Sequence, residues 1–169
     1  EEIEEFDLPK AFNGILRPYQ KAGYNWFHFL KKYNFGGCLA DDMGLGKTVQ
    51  TLALMQKIKE DKQEEGIHTT SLIIMPTSLV YNWLNEAKKF APKLKIHVHT
   101  GSFRNKDVER FTAYDIVFTT YGICRVDIES LKTFYFNYII LDESQNIKNP
   151  SSKSFKAVKA LKSKHKLIL

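Results

Sequence analysis

The stretch DDMGLGKT at residues 41–48 sets two glycines, a lysine and a threonine between the apolar run GGCLA and a segment with helical periodicity. A strand, a tight glycine turn and a helix start, in that order, present unpaired backbone N–H groups at the positive end of a helix dipole, which is an anion-holding arrangement. The turn made of Asp42, Met43, Gly44, Leu45, Gly46, Lys47 and Thr48 therefore reads as a cradle for a polyphosphate. Gly44 and Gly46 let the backbone approach closely, Lys47 reaches toward β and γ phosphates, and Thr48 brings a hydroxyl to Mg²⁺. The strict pattern GxxxxGK(S/T) is broken at its first position, Asp41. The plainer alternative is a helix N-terminus with incidental glycine and lysine.

A phosphate cradle needs an acid for the metal at the end of a neighbouring strand. YIILDESQ, residues 138–145, supplies Asp142 and Glu143 directly after a buried-strand pattern. Asp142 is expected to hold Mg²⁺ through its water shell, and Glu143 to orient or deprotonate an attacking water. By itself such a pair is an ordinary strand-end turn, and the cradle is what gives it a chemical partner. Two other candidates carry less. His97 and His99 alternate along a strand-like run without third and fourth ligands at metal spacing, so they read as surface histidines. Cys124 has no base beside it that would make it a nucleophile.

The elements that must position these residues alternate between strand-like and helix-length segments. GGCLA is followed by a helix expected from Lys47 to about Lys59, and the charged KEDKQEEG reads as a loop. SLIIMP precedes Leu79, Trp83, Ala87 and Phe90 at helical spacing; KIHVH, DIVFTTY, a helical segment to about Phe134, YIILDE, a lysine-rich helix and KLIL complete the order. Several of these strands are continuously apolar, as parallel strands covered on both faces are. The expected class is α/β, with a mostly parallel central sheet and helices on both faces. Upstream, RPYQKAGYNWFHFLKK places Tyr19, Gly23, Trp26, Phe27 and Leu30 on one helical face. Lys153, Lys156, Lys159 and Lys162 recur every three residues opposite Phe155, Val158 and Leu161, either a solvated helix face or a DNA-binding strip.

At 169 residues and 43% hydrophobic, the chain has the size and apolar content of one cored domain, with no repeat or linker to divide it. A formal charge of +6 mildly favours an anionic partner such as nucleic acid. Two cysteines without a paired spacing point away from a disulfide framework and toward a reduced, cytoplasmic setting. No apolar run approaches the roughly 18 residues of a membrane span, and the acidic start EEIEE is unlike a signal peptide. Because Glu1 is not a methionine and HKLIL ends on a strand-like run, the natural protein is expected to continue.

LRPYQ at 16–20, DDMGLGKT, LIIMPTSLVYNWLNEAKKF at 72–90, HTG at 99–101, DIVFTTY at 115–121 and DESQNIKNPSSKS at 142–154 together resemble the ordered motifs of superfamily II helicase-like ATPases. More narrowly, they resemble the SWI/SNF-type DNA translocases, in which the glycine turn commonly opens with Asp. They look more like bacterial and archaeal members than eukaryotic remodellers; if bacterial, the protein is expected at the nucleoid. The resemblance implies a first RecA-like lobe over residues 1–169 that binds ATP and Mg²⁺. A second RecA-like lobe of the same polypeptide, entered through a TGTP-like motif and carrying arginine fingers, would follow it. It implies that Gln20, with Leu16 and Arg17 beside it, reads the adenine edge, which otherwise would be a solvated helix glutamine. It also implies that Thr77, Gly101, Thr119 and Thr120 touch the backbone of one strand of double-stranded DNA, with Arg104 adding charge; loop capping is the alternative for each. The acid box reads DESQ rather than DEAH, so the coupling that the family places at its fourth position passes through Gln145 or is absent.

The implied activity is a DNA-stimulated ATP hydrolase in the full-length protein, nearly inactive as an isolated lobe. An RNA helicase lobe of the same superfamily, a small-molecule kinase using the same cradle, and a nucleotide-gated binding module without hydrolysis remain open at this point.

Overall fold

A computed structural model describes residues 5–16, 20, 21, 23–25, 37, 38, 46–62, 67–147 and 149–169. Among them, six strands form one sheet: β1 (Gly37–Cys38), β2 (Ser71–Met75), β3 (Ile96–Val98), β4 (Ile116–Thr120), β5 (Tyr135–Leu141) and β6 (Lys162–Ile168). The helices are α1 (Lys47–Glu60), α2 (Val80–Phe90), α3 (Tyr121–Val126), α4 (Ile128–Leu131) and α5 (Lys153–Ala160), and residues 20, 21 and 23–25 are helical too. The sheet order is β1-β6-β5-β2-β4-β3, and every ladder is parallel. All carboxyl ends therefore lie on one edge, where open α/β sheets bind ligands.

The core explains why the strands read as unbroken apolar runs. Successive side chains point to opposite faces of a strand, so a sheet covered on both sides buries all of them. Ile73 and Met75 of β2, Phe118 of β4 and Tyr138 and Ile140 of β5 pack with Leu52, Leu54 and Trp83 on the α1–α2 side. Leu72 and Ile74 of β2, Val117 of β4 and Ile139 and Leu141 of β5 pack with Cys124, Leu131 and Val158 on the α3–α5 side. Lys57 and Lys59 in the last turn of α1 complement its negative end. Ser152 starts α5 by accepting from the Phe155 N–H at 3.1 Å.

The last strand differs from its expectation. It begins at Lys162 rather than at KLIL, because Lys162, Lys164 and Lys166 remain exposed while His165 and Leu167 are buried. Only the apolar end of that alternating strand stood out in the sequence. Lys162 consequently belongs to β6, and the lysine stripe divides between a helix and a strand.

Candidate functional site

Asp142 follows the last residue of β5, and its backbone N–H donates to the Ile74 carbonyl of β2 at 2.8 Å. Two donors orient its side chain and a third holds its backbone carbonyl. The Trp83 indole N–H of α2 donates to Oδ2 at 2.9 Å, the Glu143 N–H donates to Oδ1 at 3.0 Å, and the Tyr121 hydroxyl donates to the Asp142 carbonyl at 2.7 Å. Burial raises the Asp142 carboxyl above its ordinary pKa and Glu143 adds to the rise, against the Trp83 and Glu143 N–H donors and the charge of Lys47. Burial disfavours this carboxylate, and among the described residues Lys47 is the cation whose charge acts on it. That environment fits a bound divalent cation.

Lys47 opens α1, immediately after Gly46. Gly46 has φ +89°, in the left-handed region, and a Cβ there would collide with the Gln20 amide. The backbone therefore requires glycine at this position, while the Gln20 side chain could shift to admit a Cβ. The same contact places Gln20, the expected adenine reader, beside Gly46 at the start of α1. Leu16 is buried in the core on the α1–α2 side. Arg17 and the turn residues Asp42, Met43, Gly44 and Leu45 lie outside the described residues. Thr48 is half-buried in the first turn of α1. Among the described residues no group of three or more His, Cys, Asp or Glu forms a metal cage. One carboxylate with one hydroxyl suits Mg²⁺, which retains much of its water.

Glu143 is a non-glycine residue in the left-handed region, with φ 53°, a conformation that costs on the order of 1 kcal/mol and tends to occur at functional sites. The Gln145 amide donates to its Oε2, so the fourth residue of the acid box contacts the second.

A groove of about 600 Å³ lies farther along the same edge, beyond β2, β3 and β4. Thr77, Gly101 and Thr120 line it, together with Tyr81, Arg125 and Val126. Thr120 also caps α3, accepting from the Ile123 N–H at 3.2 Å. Gly101 has φ +87°, and a Cβ added there would find nothing within 4 Å, so its requirement is conformational rather than steric.

Two expected contributors are not brought to this groove. Thr119 is fully buried and its hydroxyl donates to the His99 carbonyl at 2.8 Å, tying β4 to the end of β3. Arg104 turns inward: Nε and Nη2 donate to Asp127 at 2.6 and 2.7 Å, and Nη1 donates to the Gly101 carbonyl at 2.6 Å. Its fork holds the loop, so the Arg104 charge is committed within the protein.

The histidines are likewise structural. His99 is buried rather than on the surface, with Nε2 at 2.8 Å from Asp127 Oδ2, because the end of β3 turns it into the same cluster. Burial lowers its pKa despite the carboxylate, and Nδ1 has no hydrogen-bond partner among the described residues. Asp127 is lowered to about 2, chiefly by the Arg104 hydrogen bonds and then by those from His99. His97 is half-buried against Phe111 and Tyr114. Burial pushes the Cys124 thiol up to about 12, which leaves it an inert core residue.

Asp127 and the indole of Trp83 are the residues that motif reading missed. Trp83 was visible as part of a buried helical face and of the motif at 72–90, with no role assigned to its indole, and no local pattern marked Asp127.

A family model described as the SNF2-related domain matches residues 19–169. YwqA of Bacillus subtilis, described as an ATP-dependent helicase/translocase, is 44% identical over 172 residues, covering 100% of this chain and 18% of that protein. The TATA-binding protein-associated factor mot1 of Aspergillus fumigatus is 43% identical over 177 residues, covering 99% of this chain and 9% of that protein. The Sulfolobus solfataricus SWI2/SNF2 ATPase core, solved in complex with dsDNA, superposes with a TM-score of 0.81 at 45% identity. That match covers 97% of this chain and 34% of the solved one, so the chain spans about a third or less of each of these relatives.

Proposed function

The chain belongs to the SNF2-related domain family, and from that premise we propose that it is the ATP-binding lobe of a DNA-dependent ATPase that couples hydrolysis to movement on double-stranded DNA. The observation that carries this reading is Asp142, its carboxyl raised by burial, held at the carboxyl end of β5 and facing the charge of Lys47 at the start of α1.

In this reading the first-turn N–H groups of α1 and the Lys47 ammonium bind the polyphosphate of ATP, while Gln20 reads the adenine edge. Asp142 and Thr48 would hold Mg²⁺, which supplies charge neutralisation at the phosphate oxygens when bound. Glu143, oriented by its backbone and by Gln145, positions the attacking water and accepts its proton. A second RecA-like lobe of the same polypeptide completes the cleft, and its arginines contribute about 10³ to 10⁵ in rate by analogy with other phosphoryl-transfer systems. Thr77, Gly101 and Thr120 offer hydroxyls and backbone amides to the phosphates of one strand, which fixes position without reading sequence.

The test is ATP turnover by the full-length protein, alone, with duplex DNA and with single-stranded RNA. Stimulation by the duplex, abolished by Lys47→Ala, is the expected result. Stimulation by RNA alone, or undiminished turnover in Lys47→Ala, would overturn the proposal.

A further inference from the structure

The groove has an electrostatic deficit. Duplex affinity rests largely on cations that neutralise phosphates and release counterions. Arg104, the cation expected at the groove, is committed to Asp127, and of the residues lining the groove Arg125 alone is charged. A lobe that seats a polyanion with one cation must find charge beside that seat.

The missing charge lies next to it. Arg125 lines a second cleft of about 320 Å³, formed where α3 and α4 meet α5. Its other charged residues are Glu129 and Lys132, which pair at 2.6 Å, and Lys153 and Lys156. Arg125, Lys153 and Lys156 are exposed, and none has an acidic partner among the described residues. The packing of α5 sets their direction. Ala157 and Val158 are buried against the α3–α4 layer, which leaves Lys153 and Lys156, one turn apart, facing the cleft. Lys159 and Lys162 are equally exposed but do not line it.

We propose that Arg125, Lys153 and Lys156 form a basic strip that continues the groove across α3 and α5 and holds phosphates of the duplex beyond the strand seated at Thr77, Gly101 and Thr120. The inference rests on the duplex-binding function proposed above and extends its footprint. One helical turn separates the two lysines by about 5 Å along α5, within the reach of flexible stems onto neighbouring phosphates. Continuity with the groove through Arg125 favours the nucleic-acid backbone over an acidic protein surface.

The experiment measures affinity of the full-length protein for one duplex across about 50 to 200 mM salt. The Lys153→Gln/Lys156→Gln double variant is expected to reduce the slope of log K against log salt by about 1.8, roughly 0.9 per lost contact. At 0.1 M salt that is a loss on the order of 60-fold relative to extrapolation to 1 M. The Lys159→Gln/Lys162→Gln variant removes the same net charge and is expected to keep the wild-type slope. An unchanged slope in the first variant, or equal losses in both, overturns the strip and leaves the duplex-binding function standing. A wild-type protein that binds no duplex overturns that function itself, and the strip with it.

Discussion

Asp142 and Asp127 are both acids set close to the carboxyl edge of one sheet, and their surroundings treat them in opposite ways. Among the described residues Asp142 receives two neutral N–H donors and the charge of Lys47, and burial holds its carboxyl above the ordinary pKa. Asp127 receives the two-pronged fork of Arg104 and the His99 ring, and its pKa falls to about 2. The difference separates a carboxylate whose charge is left for something that must arrive from one whose charge is consumed by the fold. Proximity to a functional edge does not distinguish them; the balance of partners does.

The first way to sharpen that contrast is to silence chemistry at the Asp142 end alone. Glu143→Gln in the full-length protein is expected to lower ATP turnover by about 10² to 10⁴ while nucleotide and duplex affinity persist. Single-turnover hydrolysis beside equilibrium binding measures this, and turnover within a factor of three of wild type would remove Glu143 from its role.

Asp127→Asn strikes the opposite end. A carboxyl lowered from 3.8 to about 2 contributes on the order of 2 kcal/mol, present in full above its ordinary pKa and lost as pH falls through the folded value. The variant should lose about that much stability in chemical denaturation at pH 7. It should also show a flatter decline than wild type between about pH 4 and pH 2. Equal acid sensitivity in the two proteins would show that Asp127 is not the compensated acid.

Trp83→Phe removes the longest-range donor to Asp142 while retaining an aromatic ring. The half-saturating Mg²⁺ concentration for turnover is expected to rise about tenfold, the usual size of an outer-shell effect on metal affinity. An unchanged Mg²⁺ dependence would make the indole contact one of packing alone. Gly101→Ala is the mildest change. A Cβ there meets nothing, so only the left-handed backbone is penalised, by about 1 kcal/mol. Duplex affinity should fall about fivefold with basal turnover unaltered, which titration at fixed salt would reveal.

Much of the architecture was legible in the chain. The apolar runs at SLIIM and IVF mark strands covered on both faces, and the helix after the glycine turn begins at Lys47 as its pattern implies. KSKHKLI was harder to recognise because its lysines alternate with the buried positions, and only its end resembled a core strand. At the candidate sites, the lysine, the acid pair and the small residues at strand ends were visible as residue types at fixed spacing. Arg104 and Thr119 were visible in the same way, but their side chains point into the protein.

The sequence by itself determined the α/β class, the glycine turn leading into a helix and the order of acid and hydroxyl positions, because each depends on periodicity or on neighbours a few residues apart. Only the tertiary structure decided which charges remain available. Trp83 meets Asp142 across 59 residues and Arg104 meets Asp127 across 23, and whether a cation is left for a ligand depends on which acid the folded chain brings beside it.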